Sequence, residues 1–140
     1  MILLDTNVIS EPLKAAGNTN VLAWLDAQTI ETLYLSTISL AELRFGIAAL
    51  PEGKRRDALH SSLEQRVLPL FAGRILAFDD PASQSYATLR ARARAAGQAI
   101  APADGYIAAI AAAHGLAVAT RDTSPFEAAG LAVINPWISL

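Results

Sequence analysis

Five short apolar runs punctuate the chain: Ile2-Leu3-Leu4, Leu33-Tyr34-Leu35, Ile75-Leu76-Ala77-Phe78, Ala117-Val118-Ala119-Thr120 and Ala132-Val133-Ile134. Runs that are apolar throughout, rather than at alternate positions, suit strands covered on both faces. Stretches of helical periodicity lie between most of them, so the connections are crossovers and the strands pair in parallel. The pattern predicts an α/β domain of three layers, with helices on both sides of a mostly parallel sheet of about five strands.

The helices carry start and stop signals. Residues 8–13 are expected to be helical, with Thr6 or Asn7 as the cap and Pro12 as an objection. Asn20 is expected to cap a helix through Val21, Leu22, Trp24 and Leu25. Ser39-Leu40-Ala41-Glu42 has the form of a capping box, opening a helix with Leu40, Leu43, Ile47 and Leu50 on one stripe. A polar helix is expected over 52–68, and Asp80-Pro81 should open another. An alanine-rich helix should run from Pro102 to His114, with Gly115 in the left-handed position that ends it.

Length and charge narrow the function. The chain has 140 residues, which suits one domain over 1–140. With 11 basic and 13 acidic residues its net charge is −2, too little to make it a general coat for nucleic acid. The absence of cysteine excludes a thiolate zinc site, an iron–sulfur cluster and a cysteine nucleophile. No basic segment followed by a long apolar stretch opens the chain, and no run approaches the roughly 20 apolar residues of a membrane span, so a cytoplasmic protein is expected. The hydrophobic fraction of 53%, though inflated by alanine, points to apolar surface covered by a partner.

Ligands of an open parallel sheet bind beyond the carboxyl ends of its strands. Four acids fall there: Asp5 after the first run, Asp122 shortly after the fourth, and Glu42 and Asp104 in the first turns of two apolar helices. Taken singly, Asp5 is also a helix cap, Glu42 the far half of a capping box, Asp104 a partner of the helix dipole and Asp122 a turn residue. Taken together, carboxylates among inward-packing residues need compensation, because an unpaired buried carboxylate costs several kcal/mol, roughly. One or two divalent cations supply it, and hard oxygen donors without thiolates favour Mg²⁺ or Mn²⁺ over Zn²⁺. Lys54, Arg55 and Arg56 form one basic cluster and Arg90, Arg92 and Arg94 another; each is either a solvated face or a contact for phosphate backbone. Arg44 and Arg121 neighbour the acids and suit a scissile phosphate, or simply neutralise those acids.

Four blocks, Ile2-Leu3-Leu4-Asp5-Thr6-Asn7-Val8-Ile9-Ser10, Ile38-Ser39-Leu40-Ala41-Glu42-Leu43, Ala103-Asp104-Gly105-Tyr106-Ile107-Ala108-Ala109 and Ala119-Thr120-Arg121-Asp122, resemble in order those of PIN-domain ribonucleases. With the closing Ile134-Asn135-Pro136-Trp137, the sequence is most similar to VapC-type toxins of the FitB-like group, over essentially the whole chain. The resemblance implies a PIN-like fold and a Mg²⁺- or Mn²⁺-dependent endoribonuclease, the toxin of a type II toxin–antitoxin pair. It implies Asp5, Glu42, Asp104 and Asp122 as catalytic, metal-holding acids, the last at the family's most variable acidic position, and Thr6, Ser39 and Thr120 as supporting hydroxyls. It further implies a homodimer inhibited by a VapB-type antitoxin in a heterotetramer or larger complex, which reaches operator DNA only through the antitoxin. The antitoxin segment is expected on the helices bearing Val21, Leu22, Trp24 and Leu25, and Leu40, Leu43, Ile47 and Leu50, bringing an arginine or other polar group to the acids. Two alternatives read the same residues as a non-catalytic metal- or partner-binding module, or as a phosphatase with Asp5 as nucleophile; Thr6-Asn7 after Asp5 departs from the usual form of the latter.

Overall fold

The computed structural model describes residues 1–138. Its strands are β1 (Ile2–Leu4), β2 (Leu33–Ser36), β3 (Ile75–Leu76), β4 (Ala117–Ala119) and β5 (Val133–Ile134). They form one parallel sheet in the order β3-β2-β1-β4-β5, with Leu3 in register with Tyr34 on one side and Val118 on the other. The apolar runs at 75–78 and 117–120 contribute shorter strands than expected: Leu76 and Ala119 are the last residues in register with a neighbouring strand, although the Thr120 N–H still donates to Ile134 O at 2.9 Å.

Leu3 and Leu4 are wholly buried and point to opposite faces, which places each in a different core. The Leu3 side packs against α5 (Asp80–Ala95), α6 (Pro102–His114) and α7 (Ser124–Ala128) through Ala82, Leu89, Ile107, Ala108 and Phe126. The Leu4 side packs against α1 (Thr6–Ile9), α2 (Thr19–Ala27) and α3 (Thr37–Ala48) through Val8, Val21, Leu40 and Leu43. Six alanines are buried, and three of them, Ala108, Ala109 and Ala111, lie on α6, their small side chains letting that helix lie close on the sheet.

Several caps fall elsewhere than the local motifs suggested. The first helix is only Thr6–Ile9 and is capped by Asp5; Pro12 sits in a separate 3₁₀ turn over Glu11–Leu13, where its missing N–H costs no helical bond. Asn18, not Asn20, caps α2 by accepting from the N–H groups of Asn20 and Val21. Ser36 caps α3 by accepting from Ser39 N–H at 3.0 Å, so Ser39-Leu40-Ala41-Glu42 lies inside the helix and forms no capping box. Asp79, not Asp80, caps α5. The polar helix is shorter: α4 (Lys54–Ser61) passes into a π-helical turn over Ser62–Val67 and a 3₁₀ turn over Leu68–Phe71. Pro102–His114 is as expected, ended by Gly115 at φ 67°.

The chain leaves β1 toward β2 and leaves its other neighbour, β4, toward β5, so the connections from the carboxyl ends of these two adjacent strands run in opposite directions. This reversal opens the crevice in which such sheets bind ligands. Asp5 stands at it.

Candidate active site

Asp5 follows β1 directly, and its N–H extends the ladder by donating to Ala119 O at 2.9 Å. The side chain is 6% exposed. One carboxylate oxygen accepts from Thr6 N–H at 2.8 Å and the other from the Thr120 hydroxyl at 2.8 Å. Burial pushes this carboxyl above its ordinary range, the two hydrogen bonds pull it back in part, and the charges of Asp104 and Glu42 push it up again.

Glu42 comes from the second turn of α3, exposed, with Oε1 2.9 Å from Thr6 Oγ1, which also lies 3.0 Å from Ser39 Oγ. A carboxylate only accepts, so Thr6 donates to Glu42 and takes the Ser39 proton. This short relay joins α3 to the residue after Asp5. Asp104, in the first turn of α6, is half-buried, and its carboxyl is raised by burial, then by the charges of Asp122 and Glu42. Asp122 lies in the exposed turn after β4, with its N–H donating to Thr120 Oγ1 at 3.2 Å. Thus Thr120 holds Asp5 with its proton and the Asp122 backbone with its lone pair.

The structure therefore brings Asp5, Glu42, Asp104 and Asp122 within one field of mutual repulsion. Among the described residues the ion pairs join Lys14 to Glu11, Arg44 to Glu64 and Arg56 to Glu52, and none reaches these four acids. Hard, uncompensated oxygen donors fit a divalent cation by chemistry. As the side chains stand, no three His, Asp or Glu among the described residues converge on one point, so a shared ion requires exposed side chains such as Glu42 or Asp122 to turn inward or water to bridge.

The expected basic residues divide. Arg44 is not directed at Glu42; it makes a two-pronged pair with Glu64 at 2.8 and 3.1 Å across to the π-helical turn. Arg121 lies over the Trp137 ring at 5.4 Å. Lys54, Arg55 and Arg56 open α4; Arg55 lines the same groove as Glu42, while Arg56 lines a separate cavity with Arg44. Asn7, offered by the sequence only as a helix cap, ties the site together instead: its amide donates to Thr120 Oγ1 at 3.5 Å and its oxygen accepts from Arg121 N–H at 3.3 Å. Its only local signal was its place two residues after Asp5 in a turn-forming stretch.

The groove that begins at Glu42 runs between the 3₁₀ turn at Glu11–Leu13, α3 and α4, with a volume of about 730 Å³. Leu13, Gly46, Ile47, Leu50 and Leu59 line it. Of the residues expected on a partner surface, Val21 and Leu40 are instead buried in the core beside β1, while Leu43, itself largely buried, lines this groove with Ile47 and Leu50.

The PIN domain profile matches residues 2–131. The VapC ribonuclease Y4jK of Sinorhizobium fredii is 66% identical over 137 residues, 98% of each chain. The plasmid stability protein StbB of Pseudomonas syringae pv. tomato is 63% identical, covering 98% of this chain and 99% of its own. The crystal structure of FitAcB from Neisseria gonorrhoeae superposes with a TM-score of 0.95 at 59% identity, over 98% of this chain and 99% of that one. A parallel sheet of this order and a likeness that spans nearly every residue lead to one assignment: the chain belongs to the PIN domain family.

Proposed function

We propose that this protein is the toxin of a type II toxin–antitoxin pair, a Mg²⁺- or Mn²⁺-dependent endoribonuclease silenced by a VapB-type antitoxin. The observation that carries the reading is the repulsive group of Asp5, Glu42, Asp104 and Asp122 at the switch point of the sheet, with no ion pair to any of them among the described residues. Its relatives are named as a VapC ribonuclease and a FitB toxin, and solved relatives are complexes such as FitAB bound to a DNA fragment. By that likeness the protein acts as a dimer within a larger complex that meets operator DNA through the antitoxin.

In this reading Asp5, Glu42 and Asp104 hold the metal, and Asp122 completes the site directly or through water. The bound cation supplies an activated water and positive charge for the phosphate oxygens. Thr120 keeps Asp5 aimed at the crevice, while Thr6, backed by Ser39, holds Glu42 near it. Asn7 clips the turn carrying Asp122 to the loop after β1.

Cleavage of an RNA panel with Mg²⁺, with Mn²⁺ and with EDTA tests the proposal. Cleavage with either metal that ceases in EDTA and returns on adding metal supports it; equal cleavage in EDTA refutes metal dependence, and none under any condition refutes the nuclease. Replacing Lys54, Arg55 and Arg56 together by Ala should weaken RNA binding and lower its salt slope by about 0.7 for each phosphate no longer neutralised. Metal affinity should stay unchanged, and an unaltered slope would return the cluster to a solvated face.

The antitoxin is assigned to the groove beside Glu42, whose apolar walls suit the apolar side of a helical segment. A cationic or polar group on that segment would reach the acids from the Glu42 end. Inhibition then combines cover with loss of metal.

A further inference from the structure

Arg90 and Arg94 stand one helical turn apart on α5 and line a cavity of about 990 Å³ with the 97–100 loop. Neither pairs with a carboxylate among the described residues. Arg92, between them, faces elsewhere and lines a different cavity with Gln84, Thr88 and Ala112.

Arg90 is held in place. One guanidinium nitrogen donates to the Tyr86 hydroxyl at 2.6 Å and the group lies over the Tyr86 ring at 5.3 Å. Tyr86 in turn stacks on Tyr106, with centroids 4.8 Å apart, and Phe78 meets both rings edge-on. Tyr86 and Arg90 lie against Gly105, the residue after Asp104. A Cβ there would stand 3.1 Å from Tyr86 Cε2 and 3.2 Å from Arg90 Cδ and would press both side chains back by a few tenths of an ångström, so glycine lets them lie close on the first turn of α6. The Arg90 guanidinium is nonetheless beyond ion-pair distance of Asp104. A fixed cation against the turn that carries Asp104, with no carboxylate partner among the described residues, is available to an anion bound beside that turn. For a phosphodiester substrate that anion is a neighbouring backbone phosphate, which arginine holds with a planar pair of donors.

We propose that Arg90 and Arg94, with the 97–100 loop, form a subsite for a backbone phosphate of the RNA strand adjacent to the one cleaved at the acidic group. The inference rests on the nuclease reading above. Gln98, also on the cavity wall, offers an amide to the sugar or base beside that phosphate.

The test measures binding of labelled single-stranded RNA across a salt series, and steady-state cleavage, for the full chain and for Arg90→Gln/Arg94→Gln, Arg94→Gln, Arg90→Lys and Arg92→Gln. The double variant should bind about 10-fold more weakly, with a salt slope smaller by about 1.4 for two charges withdrawn from a single strand. Its KM should rise more than its kcat falls. Arg92→Gln removes one charge, as Arg94→Gln does, but from the other side of α5, and should leave affinity nearly unchanged. Exposed Arg94 alone should reproduce part of the loss should the double variant fold poorly, and Arg90→Lys should retain part of the affinity. If parent and double variant bind and cleave alike, or Arg92→Gln loses as much as the double variant, the subsite is refuted while the nuclease stands. A double variant that changes oligomeric state but not RNA affinity marks the cavity as a protein contact and overturns the proposal. A parent that neither binds nor cleaves RNA removes the nuclease reading and this inference together.

Discussion

Asp5→Asn should lower RNA cleavage by more than 100-fold and make the metal-free protein more stable. The loss should exceed the roughly 10- to 100-fold typical of removing a residue that only supports a metal ligand. The gain in stability follows from the site's own electrostatics: the Asp5 carboxyl is buried, near the charges of Asp104 and Glu42, and titrates above its ordinary 3.8. A raised carboxyl contributes stability while protonated in the folded state, and that contribution is lost as pH rises through the folded value. Asparagine keeps an acceptor for Thr6 N–H and a donor for the Thr120 oxygen without carrying the charge. The variant's advantage should therefore be full at neutral pH, shrink as pH falls through the raised value, and vanish near 3.8. Thermal unfolding in EDTA between about pH 4 and 8, beside gel-based cleavage with Mg²⁺, checks both halves. Retained cleavage would remove Asp5 from the metal site, and lower stability at neutral pH would show that its role is structural.

Gly46→Tyr should release the enzyme from its antitoxin without harming the fold. Gly46 lies within α3 on the wall of the groove beside Glu42, and no atom lies within 4 Å of the Cβ position. Glycine in a helix interior is worse than alanine by roughly 0.5–1 kcal/mol, so a side chain there tends to stabilise the helix. A phenol ring at that position occupies space assigned to the antitoxin helix but carries no charge to disturb Glu42 one turn earlier. The expected rise in Kd for the antitoxin is at least about 100-fold, or roughly 2.7 kcal/mol. Cleavage by the free toxin should be retained, and growth arrest should appear even with the antitoxin co-expressed. Titration calorimetry with the purified antitoxin measures the first effect; an unchanged Kd would place the antitoxin elsewhere.

The layers, the parallel sheet and the span of α6 were legible because each rests on local periodicity and on punctuation by Pro102 and Gly115. So were the positions of Asp5, Asp104 and Asp122, whereas Glu42, expected in a first turn, lies in the second turn of α3 because that helix opens at Thr37. Caps were less so: Ser36 and Ser39 both offer a hydroxyl, and only the path of the chain out of β2 decides which one meets a free N–H. Which charges pair was not legible at all. Arg44 sits two residues from Glu42 in sequence yet reaches Glu64, because alternate residues of a helix point to different sides. Thr120 grips Asp5 across 115 residues, and Arg90 meets Gly105 because α5 and α6 pack closely there. Sequence by itself determined the elements and the acids they carry, since both follow from nearest-neighbour chemistry along the chain. The mutual repulsion of those acids, the hydroxyls that aim them and the seating of Arg90 against the turn of Asp104 were decided only by the tertiary structure, because Coulomb and hydrogen-bond energies depend on distance through space.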